Sequence, residues 1–110
     1  MFQFVVFDVL AEMLGDDEET IKMMLRDFVE PLSESLREIQ LCCKRRNSEE
    51  LKMAAHKLKS SALVIGASDL AIIGQSLETA GDEDNWSTVN EDIPNLIQPM
   101  TKTIDYIEKL

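Results

Sequence analysis

The segment NSEELKMAAHKLKSSALVIG, residues 47–66, carries the clearest helix signal in the chain together with its only histidine. Asn47, followed three residues later by Glu50, is typical of a helix N-terminus, and Gly66 is a natural residue just beyond a helix C-terminus. At 100° per residue, the apolar residues between these signals lie within about 60° of Leu51. They are Ala54, Ala55, Leu58, Ala62 and Ile65. The segment predicts an amphipathic helix from Asn47 to about Ile65, the third helix of the chain.

The C-terminal flank repeats this helical spacing. Ser68 is predicted to cap a fourth helix that ends at Gly81. Its inward-facing residues are Leu70, Ile73, Leu77 and Ala80. The last segment, from Trp86 to Ile107, alternates apolar residues in steps of three and four. Because Pro94 and Pro99 interrupt this segment, we expect a kinked helix or two abutting pieces.

The N-terminal flank predicts one long helix and one short helix. Apolar residues recur at helical spacing from Ile21 to Cys43, and Asp16 with Glu19 resembles a capping box at the start of this second helix. Pro31 should bend this helix or break it locally. A short leading helix is predicted over residues 4–14.

Length and composition fit a helical protein. With 110 residues, the chain is expected to form a single domain over residues 1–110. Hydrophobic residues make up 45% of it, whereas 4 Gly and 3 Pro are few for the turns of an all-β protein of this size. Short loops favour antiparallel neighbours. We therefore predict an all-α fold, an antiparallel up-down four-helix bundle with a short additional N-terminal helix.

Charge is unevenly distributed along the chain. The 21 acidic and 11 basic residues give a net charge of −10, which argues against nucleic-acid and anionic-membrane partners. No apolar run approaches the roughly 20 residues of a transmembrane helix, and two adjacent cysteines fit a reducing compartment, so we expect a cytoplasmic protein. Six of the 11 basic residues fall between positions 44 and 59, around His56. They are Lys44, Arg45, Arg46, Lys52, Lys57 and Lys59.

His56 and Lys59 fall on the exposed side of the third helix. With Leu51 at zero on the wheel, His56 lies near about 140° and Lys59 near about 80°. One interpretation is an ordinary solvated polar face. The other is chemical, because a neutral imidazole is a nucleophile near pH 7. If it takes up a phosphoryl group, a nearby ammonium would stabilise the added negative charge and the transition state that precedes it.

The run AHKLKSSA at residues 55–62, followed by Gly66, resembles the signature of histidine-containing phosphotransfer (HPt) domains of two-component phosphorelays. That signature reads roughly A-H-x-L-K-G-S/A-S/A, with a Gly ten residues after the His. The likeness extends to the acidic turn at 16–19, to Phe28 and to LETAG at 77–81, so it covers essentially the whole chain. Ser60 departs from the usual Gly, and we expect slower or more selective transfer from it. A degenerate domain stays an alternative.

The resemblance implies roles for three residues. His56 corresponds to the phosphoaccepting histidine, and Lys59 to the lysine that neutralises the phosphoryl group. Glu78 corresponds to a position on the neighbouring helix whose side chain accepts a hydrogen bond from imidazole Nδ1–H, leaving Nε2 as the nucleophile. The alternative for Glu78 is a carboxylate on a helix flank, in water.

The same resemblance implies a docking surface for a response-regulator receiver domain. Met53, Leu63 and Val64 surround His56 on the exposed face; they are either scattered surface hydrophobes or a docking patch. Lys52, Lys57 and Ser60 complete the predicted patch. A basic rim would steer association with the acidic, Mg²⁺-binding pocket of a receiver. Its residues are Arg45, Arg46, Lys52 and Lys57.

No motif for ATP binding is present in the sequence: neither a Walker A segment nor a G-x-G-x-x-G loop occurs. We therefore expect a phosphoryl carrier without kinase activity of its own, with no cofactor, and with Mg²⁺ held by the receiver. It would be a monomer, either standing alone or belonging to a hybrid sensor histidine kinase. The alternatives are an HPt-like interaction module that binds receivers without phosphotransfer and an unrelated structural helical domain.

Overall fold

A computed structural model describes residues 17–110, in which all regular secondary structure is helical. The helices are α1 (Glu18–Arg26), α2 (Val29–Arg45), α3 (Ser48–Ile65), α4 (Ser68–Asp82) and α5 (Trp86–Glu108). Connections of two or three residues join them, so helices α2 to α5 run antiparallel to their chain neighbours. The predicted all-α antiparallel bundle is confirmed. The predicted leading helix over residues 4–14 lies outside the described residues.

The packing order of the helices places α3 at one corner of the bundle. It packs mainly against α2 and α4, whereas α5 packs against α1, α2 and α4, so α3 and α5 are diagonal to each other. Large aliphatic side chains from all five helices fill the core, including Leu25, Leu32, Leu58, Leu77 and Leu96. Burial of each such side chain stabilises the fold by about 1.5–3 kcal/mol. No helix within residues 17–110 is long and apolar enough to cross a bilayer.

Pro31 explains the break between α1 and α2, which together form the predicted long second helix. Pro31 lacks the N–H that would bond to the Asp27 carbonyl four residues earlier, and its ring crowds that carbonyl. The first helix accordingly stops at Arg26. The Phe28 N–H donates a hydrogen bond to the Leu25 carbonyl, three residues earlier, at 3.0 Å. The predicted interruption is confirmed, and it falls one turn before the proline.

The ends of α3 match the prediction. The Asn47 side chain accepts a hydrogen bond from the Glu50 N–H at 3.1 Å. At the other end, Gly66 adopts a left-handed φ of 74°, which favours glycine. Both ends carry a local signal in the sequence, and this is why the bounds of this helix were predictable.

Three other helix ends differ from the prediction. Ser68 is the first residue of α4 and not its cap; Ala67 occupies the cap position, buried, with no side-chain cap bond. Burial of Ala67 in the core sets this end, so no local polar signal marks it. The fourth helix runs to Asp82, one residue past Gly81. Asp17 caps α1 by accepting from the Thr20 N–H at 3.2 Å, whereas the predicted cap, Asp16, lies outside the described residues.

The last helix, α5, runs unbroken through Pro94 and Pro99. Of the two expected forms, a kinked helix or two abutting pieces, the second is wrong. Each interior proline costs about 3 kcal/mol in a helix. Buried residues on both sides of the prolines offset this, because Val89, Leu96 and Met100 all pack into the same core.

Candidate functional site

His56 projects from the outer face of α3, with 59% of its side chain exposed. Its Nδ1 lies 3.1 Å from Glu78 Oε2 on α4. A carboxylate only accepts hydrogen bonds, so Nδ1 carries the proton and donates. The lone pair of Nε2 is therefore available on an imidazole that is open to solvent.

Glu78 joins His56 to Lys59. Its second oxygen, Oε1, lies 2.8 Å from the Lys59 ammonium, and only about a fifth of either side chain is exposed. The hydrogen bond from Lys59 holds the pKa of Glu78 below its ordinary value of 4.5; burial opposes this and the hydrogen bond from His56 adds to it. Glu78 is thus an ionised carboxylate between two donors, and not a helix-flank carboxylate in open water.

Two α4 residues that sequence reasoning missed extend this network. Gln75 Oε1 accepts a hydrogen bond from the Lys59 ammonium at 3.0 Å. Gln75 Nε2 donates to Thr79 Oγ1, also at 3.0 Å. Gln75 lies three residues before Glu78 and four before Thr79, which puts the three on one side of α4, but nothing local indicates that this side faces Lys59.

Gly74 brings α3 and α4 close together beside the network. A Cβ on Gly74 would lie 3.1 Å from Lys59 Cβ, and one on Gly81 would lie 3.1 Å from the Lys52 backbone nitrogen. Because neither position carries a side chain, α3 and α4 pack closely over two helical turns. An isolated glycine inside a helical pattern is the sequence signal that could have indicated this packing.

The residues predicted for docking lie on the exposed side of α3. Met53, Leu63 and Val64 are 60%, 64% and 54% exposed, and Ser60 is exposed one turn beyond His56. A hollow on the α4 side of His56 is lined by Lys52, Met53, Lys57 and Glu78. A second hollow, on the α2 side, is lined mainly by polar residues. They include Glu34, Ser35, Glu38, Lys57, Ser60 and Ser61.

Two lysines of the predicted basic rim have acidic partners, and an arginine of the rim lies away from His56. Lys52 pairs with Asp82 at 3.0 Å, which raises the pKa of the lysine, and Lys57 lies 4.0 Å from Glu38. Arg46 stacks over the Trp86 ring, 5.3 Å from its centroid, at the end of the bundle. His56 lies eight residues, about 12 Å, along α3 from that end. Among the rim residues, Lys57 lines both hollows beside the imidazole.

The described residues hold no cluster of His, Cys, Asp and Glu that could bind a metal ion. Cys42 is a buried free thiol and Cys43 is a half-buried one. Burial raises the pKa of both thiols, so they behave as small apolar residues of α2.

A family model, a curated relative and a solved structure are similar to this chain. The family model for the Hpt domain matches residues 23–103. A curated relative, the phosphorelay intermediate protein YPD1 of Candida albicans, is 28% identical over 94 residues, which cover 84% of this chain and 51% of the relative. The chain thus spans about half the length of that relative.

A solved structure shows the same fold. It is the crystal structure of the HPT domain from an Hpt sensor hybrid histidine kinase of Shewanella, which matches with a TM-score of 0.80 at 17% identity. The match covers 96% of this chain and 91% of the other, and it supports the prediction of a four-helix bundle.

Proposed function

This chain belongs to the Hpt domain family, and we propose that it is a histidine phosphotransfer domain of a two-component phosphorelay. His56 accepts a phosphoryl group from a receiver aspartate and passes it to the aspartate of another receiver. The observation that carries the proposal is the exposed imidazole with Nδ1 bound to Glu78 at 3.1 Å, because this leaves Nε2 as the nucleophile of an exposed ring.

The transfer needs only groups that the two partners supply. The Nε2 lone pair attacks the phosphorus of the aspartyl phosphate, forming a P–N bond while the P–O bond to the aspartate breaks. The aspartate leaves as a carboxylate with the bonding electron pair, and the Nδ1 proton stays on the side of Glu78. The imidazole ring carries positive charge once phosphorylated, which the adjacent Glu78 carboxylate stabilises. Transfer to the next receiver is the reverse of these steps.

Lys59 fits the role of charge stabiliser for the phosphoryl group. It lies one turn from His56 on α3, and its ammonium is held on the α4 side by Glu78 and Gln75. Positive charge beside the reacting group stabilises the transition state for phosphoryl transfer electrostatically. Mg²⁺ belongs to the receiver in this proposal, and the domain itself uses no cofactor.

The docking surface proposed for the receiver is the exposed face of α3. Met53, Leu63 and Val64 supply apolar area around the imidazole, and Lys52, Lys57 and Ser60 supply its polar contacts. The proposal also places the domain in the cytoplasm as a monomer, either alone or as part of a hybrid sensor kinase.

Incubation with a phosphorylated receiver tests this function. We expect acid-labile, base-stable phosphate on the wild-type domain and none on His56→Gln. Equal labelling of His56→Gln would contradict the assignment of the phosphoacceptor. A wild-type domain that binds the receiver but acquires no phosphate would instead be an interaction module.

A further inference from the structure

Lys59 is held by two acceptors, and their geometry points to a role for side chains that do not touch His56. The ammonium lies 2.8 Å from Glu78 Oε1 and 3.0 Å from Gln75 Oε1. The first contact is an ion pair and the second is a hydrogen bond. Since an ammonium has three N–H donors, at least one donor stays available for a phosphoryl oxygen. These two contacts therefore restrict where the ammonium lies.

Gln75 can accept a hydrogen bond from Lys59 only in one of its two amide orientations. The amide oxygen accepts from an ammonium, whereas the amide NH₂ group would face it donor to donor. In the structure Nε2 is engaged by Thr79 Oγ1 at 3.0 Å, one turn further along α4. The donor-only ammonium thus selects the orientation, and the hydrogen bond to Thr79 anchors the other end of the amide.

We propose that Gln75 is a positioning residue for the Lys59 ammonium, and that the Thr79 hydroxyl anchors the Gln75 amide in the orientation that Lys59 selects. The proposal rests on the phosphotransfer function proposed above and deepens it. Glu78 alone would leave Lys59 free to rotate about a single ion pair. With Gln75 added, the ammonium is held between two α4 side chains, one of which, Glu78, also contacts the imidazole.

Substitutions at Thr79 give the sharpest test, because the chain offers a matched pair. Thr79→Val removes the hydroxyl and keeps the branched shape, and Thr79→Ser keeps the hydroxyl and removes a methyl group. Phosphotransfer from a phosphorylated receiver should fall by about threefold in Thr79→Val and stay near wild type in Thr79→Ser. Gln75→Leu, which removes the acceptor itself, should lower the rate by about tenfold.

A spectroscopic readout separates positioning from a general structural effect. The ¹⁵N signal of the Lys59 ammonium should shift or broaden in Gln75→Leu and Thr79→Val, and should match wild type in Thr79→Ser. Gln75 and Thr79 are both exposed, so all three variants should fold, which thermal unfolding checks.

Two results would overturn the inference. One is a wild-type transfer rate in Gln75→Leu, and the other is an equal rate in Thr79→Val and Thr79→Ser. If the wild-type domain still acquires phosphate on His56, either result contradicts only the positioning role and not the phosphotransfer function. If the wild-type domain accepts no phosphate, the proposed function fails instead, and an unchanged Lys59 signal in Gln75→Leu would then overturn the positioning role independently.

Discussion

Gly74 on α4 faces Lys59 on α3 so closely that a Cβ at position 74 would lie 3.1 Å from Lys59 Cβ and 3.2 Å from its Cα. The glycine therefore sets the distance between the two helices at the point where Lys59 meets Gln75 and Glu78. Any side chain at position 74 would have to push the lysine backbone away.

Gly74→Ala should destabilise the fold and slow phosphotransfer. Overpacking lowers the free energy of unfolding by about 1–3 kcal/mol. The better helix propensity of Ala offsets up to about 1 kcal/mol of this loss. Gly81→Ala is the matched control, because its Cβ would meet the Lys52 backbone equally closely, at 3.1 Å, about 10 Å further along the helix. We expect comparable losses in chemical denaturation but a larger fall in transfer rate in Gly74→Ala, because Lys52 belongs only to the proposed docking surface. Equal transfer rates in the two variants would contradict this account.

Glu78→Gln should change the pH dependence of stability in a defined direction. The pKa of Glu78 is lowered in the folded protein, so its carboxylate stabilises the fold above its ordinary value of 4.5. That stabilisation is lost as the pH falls through the folded value. Near pH 7 the variant should be less stable by at most about 1 kcal/mol.

The difference between Glu78→Gln and wild type should shrink below pH 4.5, as measured by denaturation at a series of pH values. Glu91→Gln removes a carboxylate that is exposed on the diagonal helix α5 and should show no such trend. A Glu78→Gln deficit that is constant with pH would mean that the carboxylate charge is not its source.

Ser60→Gly restores the residue that HPt domains usually carry after the lysine. Ser60 is exposed one turn from His56, so removal of its hydroxymethyl group gives a partner more room at the imidazole. We expect faster phosphotransfer, measured under single-turnover conditions, and a loss of about 0.5 kcal/mol in stability because Gly is a poor helix former. A transfer rate equal to or below wild type would show that Ser60 does not hinder the partner.

Leu63→Asp should weaken binding of a receiver, because Leu63 is 64% exposed on the proposed docking face. Loss of its apolar contact is expected to weaken affinity by about tenfold. Ile97→Asp is the control, since Ile97 is 42% exposed on α5, diagonal to α3. Titration calorimetry with one receiver compares the two variants. If Ile97→Asp weakens binding as much as Leu63→Asp does, the receiver does not dock specifically on the exposed face of α3.

Pro31→Ala should join α1 and α2 into one longer helix. The alanine N–H can bond to the Asp27 carbonyl, and no ring crowds that carbonyl. The backbone amide at position 31 should then be protected from hydrogen exchange, with an increase in thermal stability. An unprotected amide at position 31 would show that tertiary packing, and not the proline, imposes the break.

Sequence reasoning succeeded where a signal is local and failed where it depends on a neighbouring helix. Asn47 and Gly66 mark the ends of α3 within the sequence, and the helical wheel places His56 on the face of α3 opposite its core residues. Gln75 was missed because a wheel gives angles within one helix and not the direction of the next. The Ser68 cap was wrong because Ala67, a residue without cap chemistry, is held in the core.

The reacting and positioning groups all lie on one helical hairpin. His56 and Lys59 come from α3, and Gln75, Glu78 and Thr79 come from α4, across a connection of two residues. The entire network thus fits within 24 consecutive residues, 56–79, and its contacts have low sequence separation, which favours early formation during folding. Because this hairpin holds every group of the network, substitutions in α1, α2 and α5 should leave the network in place as long as those helices keep the core face of the hairpin covered.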